Sequence, residues 1–179
     1  MPNWVQNKIV FRGYDSYVKA REFMTKHKFD GGLDIANEFN FEAIVPMPPH
    51  IYRGVLTPEA EELFGAENCW YRWRIKNWES KWNSSDVVWS PNENTVYFQT
   101  PWSPVPKLMA LFAAMGDLEF EYFAADEDIG SNVMYMRFEN LSLSGNTLVE
   151  YRDFESDMPA AVLLAKDLWD IPLDEEETE

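Results

Sequence analysis

The stretch DVVWSPNENTVYFQTPWSPVPKLMALFAAMGDLEFEYFAA, residues 86–125, decides the fold. Asp86 to Trp89 and Thr95 to Thr100 read as two strands, joined by the turn Ser90-Pro91-Asn92-Glu93-Asn94. Val96 and Phe98 alternate with Tyr97 and Gln99, the pattern of a half-buried strand. Pro104 predicts a helix through Met115, with Leu108, Leu111, Phe112 and Met115 at helical spacing. Asp117 to Ala125 then alternates again: Leu118, Phe120 and Tyr122 point inward, Glu119 and Glu121 outward. The order is strand, strand, helix, strand.

Working outward, Trp4 to Phe11 reads as a strand, with Val5, Ile9 and Phe11 on one face and Trp4, Lys8 and Val10 on the other. Asp15 or Ser16 is positioned to cap a helix through about Lys28, with Val18, Phe23, Met24 and His27 as its apolar stripe, broken by Gly31-Gly32. Residues 33–69 read as an insertion, in which Pro46-Met47-Pro48-Pro49 prevents regular structure and Thr57-Pro58-Glu59 starts a short helix ending at Gly65. Trp70 to Ile75 fits helix or strand equally, and Asn77 to Asn83 reads as a loop. Asn132 to Glu139 places Met134, Met136 and Phe138 on one face. Ser144-Gly145-Asn146 signals a hairpin into a strand from Thr147 to Phe154, and Pro159 opens a helix through Trp169. The whole is α+β: a ferredoxin-like split βαβ sandwich, an antiparallel sheet with helices on one face, an insertion after the first helix and a C-terminal β-hairpin plus helix. Residues 1–170 are expected to form a single domain, and 171–179 an acidic, disordered tail.

The chain has 179 residues, 46% of them hydrophobic, which predicts a well-buried core. No apolar run approaches the ~18 residues of a membrane span. No basic region followed by an apolar stretch opens the sequence, so a cytoplasmic location and no membrane partner are expected. The single cysteine, Cys69, excludes an internal disulfide and a four-cysteine metal site. The net charge is −16, and the tail Asp174-Glu175-Glu176-Glu177-Thr178-Glu179 carries only part of it. A field of that sign repels nucleic acid, so no direct nucleic-acid binding is expected, and attracts basic surfaces.

Six of the eight tryptophans fall between Trp70 and Trp102. They punctuate two motifs, Asn77-Trp78-Glu79-Ser80-Lys81-Trp82-Asn83 and Thr100-Pro101-Trp102-Ser103-Pro104. With the opening Met1-Pro2-Asn3-Trp4, and with Phe41, Ile44, Pro46, Met47 and Pro48, they resemble the YubB-type ferredoxin-like proteins carried by phages and mobile plasmids. The resemblance covers roughly residues 1–125 in four pieces. It departs from the pattern at Val5, where members often have cysteine, and at Glu79, where they often have glycine. It implies a ferredoxin-like topology, no iron–sulfur cluster and no established activity. It also implies an origin in a mobile element, where accessory proteins act on host defence or conjugation.

Two constellations are candidate sites. Asn77, Trp78, Lys81, Trp82 and Trp102, with Asn7 and Asn83, can line a ligand pocket in which rings stack a base or grip a cation and lysine meets a phosphate; alternatively the rings pack on the sheet while Lys81 snorkels over them. Glu119, Glu121, Asp126, Glu127 and Asp128, with the series Glu150, Asp153, Glu155 and Asp157, can present carboxylates to a basic partner, in the extreme imitating a phosphate backbone. Arg72, Arg74 and Lys76 form the one concentrated basic patch. Asp126-Glu127-Asp128-Ile129-Gly130 begins like a calcium loop but lacks the later ligands, so no metal is expected. No nucleophile–base motif is legible beyond the mere presence of Cys69 and His50, so no catalytic residue and no cofactor are expected. The resulting expectation is a non-enzymatic accessory protein that binds a host protein with a basic surface, possible partners including a nucleic-acid-binding defence protein. The alternative is a small-ligand binder using the tryptophan loop. Exposed strand edges also allow a homodimer.

Overall fold

The computed structural model describes residues 2–26, 39–140 and 146–173. Its centre is β1 (Trp4–Phe11), which alternates strictly between half-buried and buried positions. β1 pairs antiparallel with β3 (Thr95–Pro101) on one side and with β4 (Phe120–Asp126) on the other, so that Ile9 lies between Val96 and Tyr122. β2 (Ser85–Ser90) flanks β3, and β5 (Met134–Asn140) and β6 (Asn146–Asp153) continue beyond β4. The six-stranded sheet therefore runs β2-β3-β1-β4-β5-β6, antiparallel throughout. The first four strands in that order, with α1 (Gly13–Lys26) after β1 and α5 (Pro106–Gly116) after β3, are the split βαβ arrangement expected from the element order.

The core lies between the sheet and these two helices. Val5, Ile9, Phe11, Val96, Phe98, Phe120, Tyr122, Met136 and Phe138 face Tyr17, Ala20 and Met24 of α1 and Leu108, Met109, Phe112 and Ala113 of α5. The segment expected as an insertion contributes to this core as well. Phe39, Phe41, Ile44, Met47 and Ile51 are buried in it, around the short helix α2 (Phe41–Ile44). Helix α3 (Pro58–Phe64) follows, capped by Thr57 Oγ1 on the Ala60 N–H and closed at Gly65, with no buried residue of its own.

Several expectations shift. Helix α1 begins at Gly13, whose φ of +81° suits glycine, ahead of Asp15 and Ser16. Tyr17 and Ala20 join Met24 at the core while Val18 and Phe23 are half-buried. His27, Gly31-Gly32, Ser144, Gly145 and the tail 174–179 lie outside the described residues. In α5 the buried stripe is Leu108, Met109, Phe112 and Ala113; Leu111 and Met115, on the other side of the helix, are exposed. Trp70 to Trp78 is helical, forming α4, so Asn77 and Trp78 sit in its last turn and not in a loop. Helix α6 (Met158–Leu168) lies on the opposite face from α1 and α5: Asp167 pairs with Lys8, and Ala161, Ala165 and Leu168 pack with Ala125 and Val133.

Candidate interaction surface

The four separated motif pieces meet at one end of the sheet, where β1 starts and β3 and β4 finish. The buried foundation is polar. Asn7 faces the core from β1, and its Nδ2 donates to Val5 O at 2.9 Å, Phe98 O at 3.3 Å and Thr100 Oγ1 at 3.0 Å. Its Oδ1 accepts the Tyr122 hydroxyl at 2.6 Å, and that hydroxyl oxygen accepts the Val105 N–H at 3.1 Å. Burial pushes the Tyr122 hydroxyl pKa well above the ordinary tyrosine value. Thr100 Oγ1 donates to Ser103 O, and Ser103 Oγ donates to Glu79 O, both at 2.8 Å. Thus Asn7, expected to offer an amide to a ligand, is spent inside the core.

The Asn-Trp-x-x-Lys-Trp-Asn motif divides by depth. Trp78 is fully buried, donates its indole N–H to Val45 O at 2.8 Å, and stands edge-on to Phe41 and Trp73. It cannot line an open pocket, which corrects its assignment as a ligand residue. Asn77 Nδ2 bonds back to Trp73 O within α4. Asn83 Oδ1 accepts the Phe41 N–H at 2.8 Å while its Nδ2 donates to Asn40 Oδ1, so it locks α2 to the chain entering β2. Glu79, at φ +62°, ends α4; its carboxylate accepts the Lys107 N–H at 2.6 Å and thereby caps α5. The left-handed backbone explains why glycine suits this position in the resembling proteins.

What remains at the surface is a ridge of rings. Trp82 lies 5.5 Å from Trp102 and 6.2 Å from Trp4, centroid to centroid, both pairs tilted. Lys81 Nζ sits 4.9 Å from the Trp82 ring, 5.5 Å from Trp102 and 5.7 Å from Tyr71. The rings hold the ammonium by their faces. Trp102 is 45% exposed at φ +65°, with its N–H on Asn3 O and its carbonyl accepting Asn132 Nδ2. Sequence reasoning missed Trp4 and Tyr71 as members of the ridge. The outward phase of Trp4 in the β1 alternation was the available signal; Tyr71 had none.

The acidic loop adjoins this ridge. Glu127 N–H donates to Trp4 O at 2.8 Å. Asp126 is buried: its carboxylate accepts the Asp128 N–H and Asn132 Nδ2, which removes it from the carboxylates a partner can reach. Glu127 and Asp128 are exposed. Glu119 and Glu121 lie elsewhere, among counter-charges. Arg12 pairs with Glu119 and Glu139, Arg137 with Glu139 and Glu150, and Arg152 with Glu150. Glu121 accepts the Tyr135 hydroxyl at 2.6 Å; burial, then this contact, raises the Tyr135 pKa. Asp153 and Asp157 accept local backbone N–H groups, Asp157 at the start of α6. The sheet face is thus a mixed-charge lattice and not a uniform acidic one.

The remaining candidates separate. Arg74 is half-buried between the Trp70 and Trp78 rings, and burial lowers its pKa, while Arg72 and Lys76 are exposed on α4. Cys69 is buried with its thiol toward Gly65 O, and His50 is at the surface. Among the described residues no group of three or more His, Cys, Asp or Glu is placed to hold a metal ion, and no helix is long and apolar enough to cross a membrane.

This geometry is that of an α+β protein with a ferredoxin-like core and a tryptophan ridge at one end of its sheet. Residues 77–160 match a family model described as the ferredoxin-like domain in Api92-like protein. The match runs from the end of α4 through β2–β6 into α6, and so includes Trp78, Lys81, Trp82, Trp102 and the acidic loop. No curated protein and no solved structure matches the chain.

Proposed function

We propose that the chain is a non-enzymatic accessory protein of a mobile element, phage or plasmid, that binds a host protein with a basic surface. The contact is made by Trp4, Trp82 and Trp102 with Glu127 and Asp128 at their side. Trp102 carries this reading. A bulky residue in the left-handed region is unfavourable by about 1–3 kcal/mol, and an indole left 45% exposed forgoes part of its burial. Here a web of hydrogen bonds through Asn3, Thr100, Ser103 and Asn132 holds it there. Aromatic faces beside exposed carboxylates that make no ion pair among the described residues suit arginine and lysine side chains, and tryptophans are frequent anchors of protein interfaces. The net charge of −16 would speed encounter with a basic partner. The mobile-element origin rests on the resemblance to YubB-type proteins. In its most specific form the partner is a nucleic-acid-binding defence protein; the arginines among Glu119, Glu121 and Glu150 then leave Glu127 and Asp128 as the acids that compete with phosphate.

Affinity capture from host lysate tests this. The intact protein should retain a basic partner at low salt and release it at high salt. Trp82→Ala/Trp102→Ala should fail to retain it, and Glu127→Gln/Asp128→Asn should retain less. A partner held equally by the tryptophan variant, or held without regard to salt, would sink the proposal, as would no partner at either salt.

A further inference from the structure

The two edges of the sheet are finished differently. The β2 edge is six residues long and irregular: its register with β3 shifts between Ser85 and Val88, and Asp86 stands at φ +48°. Such an edge resists further pairing. The β6 edge, NTLVEYRD, is eight residues long and contains neither proline nor lysine. A shift in its pairing with β5 between Arg137 and Phe138 sets Leu148 opposite Phe138 and Tyr151 opposite Met136, so both face the same side as the core. Helix α5 approaches β6 on that side but leaves both side chains partly open. Leu148 is 43% and Tyr151 51% exposed, and Leu111 and Met115 of α5 are exposed on the same side.

We propose that this edge pairs with β6 of a second copy, antiparallel, about a two-fold axis at Tyr151. Charge selects both the occupant and the register. In a symmetric antiparallel pair, residues on a common face oppose each other, so a permitted axis passes through a residue, and successive registers are two-residue steps. With the axis at Tyr151, Glu150 of each chain lies opposite Arg152 of the other, and the two tyrosines meet. An axis at Glu150 sets glutamate against glutamate; one at Arg152 sets arginine against arginine. Like charges directly opposite are unfavourable and opposite charges favourable, so one register of β6 on itself is complementary and its neighbours are not. The same pairing satisfies the edge N–H and C=O groups of β6. The dimer interface is at the opposite end of the strand order from β2 and leaves the tryptophan ridge open, so it stands or falls independently of the proposed partner.

Sedimentation equilibrium of the full chain over a range of concentrations is the test. A reversible monomer–dimer equilibrium is expected. Arg152→Glu and Glu150→Arg, each alone, should weaken it by about tenfold or more, and mixing the two variants should restore a heterodimer. Tyr151→Arg, at an exposed position that leaves the core untouched, should also be monomeric. A wild-type chain that stays monomeric throughout overturns the proposal. So does a dimer that survives both Arg152→Glu and Tyr151→Arg, which would put the contact elsewhere. Protection of the β6 amides from exchange only in the presence of a different protein would assign the edge to a foreign strand and equally overturn it.

Discussion

At the scale of single residues, tryptophans from the same two motifs do opposite work. Trp78 has its ring sealed between Phe41 and Trp73 and its N–H bonded to Val45 O. Trp78→Ala should cost about 3–5 kcal/mol in urea denaturation, whereas Trp82→Ala should change stability by less than about 1 kcal/mol. Trp102→Gly removes the unfavourable φ together with the ring, so its stability should match wild type to within about 1 kcal/mol; a loss much larger than that would show the ring to be core packing. Tyr122 gives a pH signature. Its folded-state pKa is raised by burial, so below the unfolded value near 10 both states are protonated and its contribution is intact. Above that value the unfolded chain loses a proton the folded chain keeps, and stability falls as pH rises. Tyr122→Phe should be less stable at pH 7, since Asn7 Oδ1 and the Val105 N–H lose a partner. Its stability should also fall less steeply above pH 10, which denaturation at a series of alkaline pH values would read directly.

At the scale of elements, Glu79 joins two helices. Its left-handed backbone stops α4, and its carboxylate supplies α5 with the cap that Val105 lacks. Glu79→Ala keeps the unfavourable φ and loses the cap, and should destabilise by about 1–2 kcal/mol. Glu79→Gly loses the same cap but gains a residue suited to the φ, and should be the milder of the two in chemical denaturation. The reverse order would mean the carboxylate does more than cap. The helix α4 was ambiguous in the sequence because Trp70, Arg72, Trp73 and Arg74 fit helix or strand equally; the burial of Trp78 against Phe41 of α2 and Val45, remote in sequence, resolves it.

At the scale of the whole molecule, a chain with net charge −16 repels itself, and the fold spaces its arginines to limit this. Arg12, Arg137 and Arg152 stand among Glu119, Glu139 and Glu150 on the sheet and its rim. These exposed pairs contribute little each, so screening the general repulsion should outweigh screening the pairs. The melting temperature should therefore rise between low and moderate sodium chloride; a fall would mean the arginine lattice, and not the excess charge, governs stability.

The sequence by itself determined the strands, their inward residues and the α+β order, because alternation and helix-start signals are local and each is written within about ten residues. Val5, Ile9, Phe120, Tyr122, Met136 and Phe138 all point where the alternation said. It also picked out the motifs, but not their division of labour. Whether an indole or a carboxylate is buried depends on what the rest of the chain brings against it. Trp78 is buried by Phe41 and Val45, Asp126 by Asn132, and Asn7 by Tyr122 and Thr100. Only the tertiary structure decided that Trp4, Trp82 and Trp102 form one ridge, because β1 pairs with β3 so that Trp4 lies opposite Pro101 beside Trp102, and the segment between α4 and β2, distant from both in the chain, brings Trp82 against the two rings.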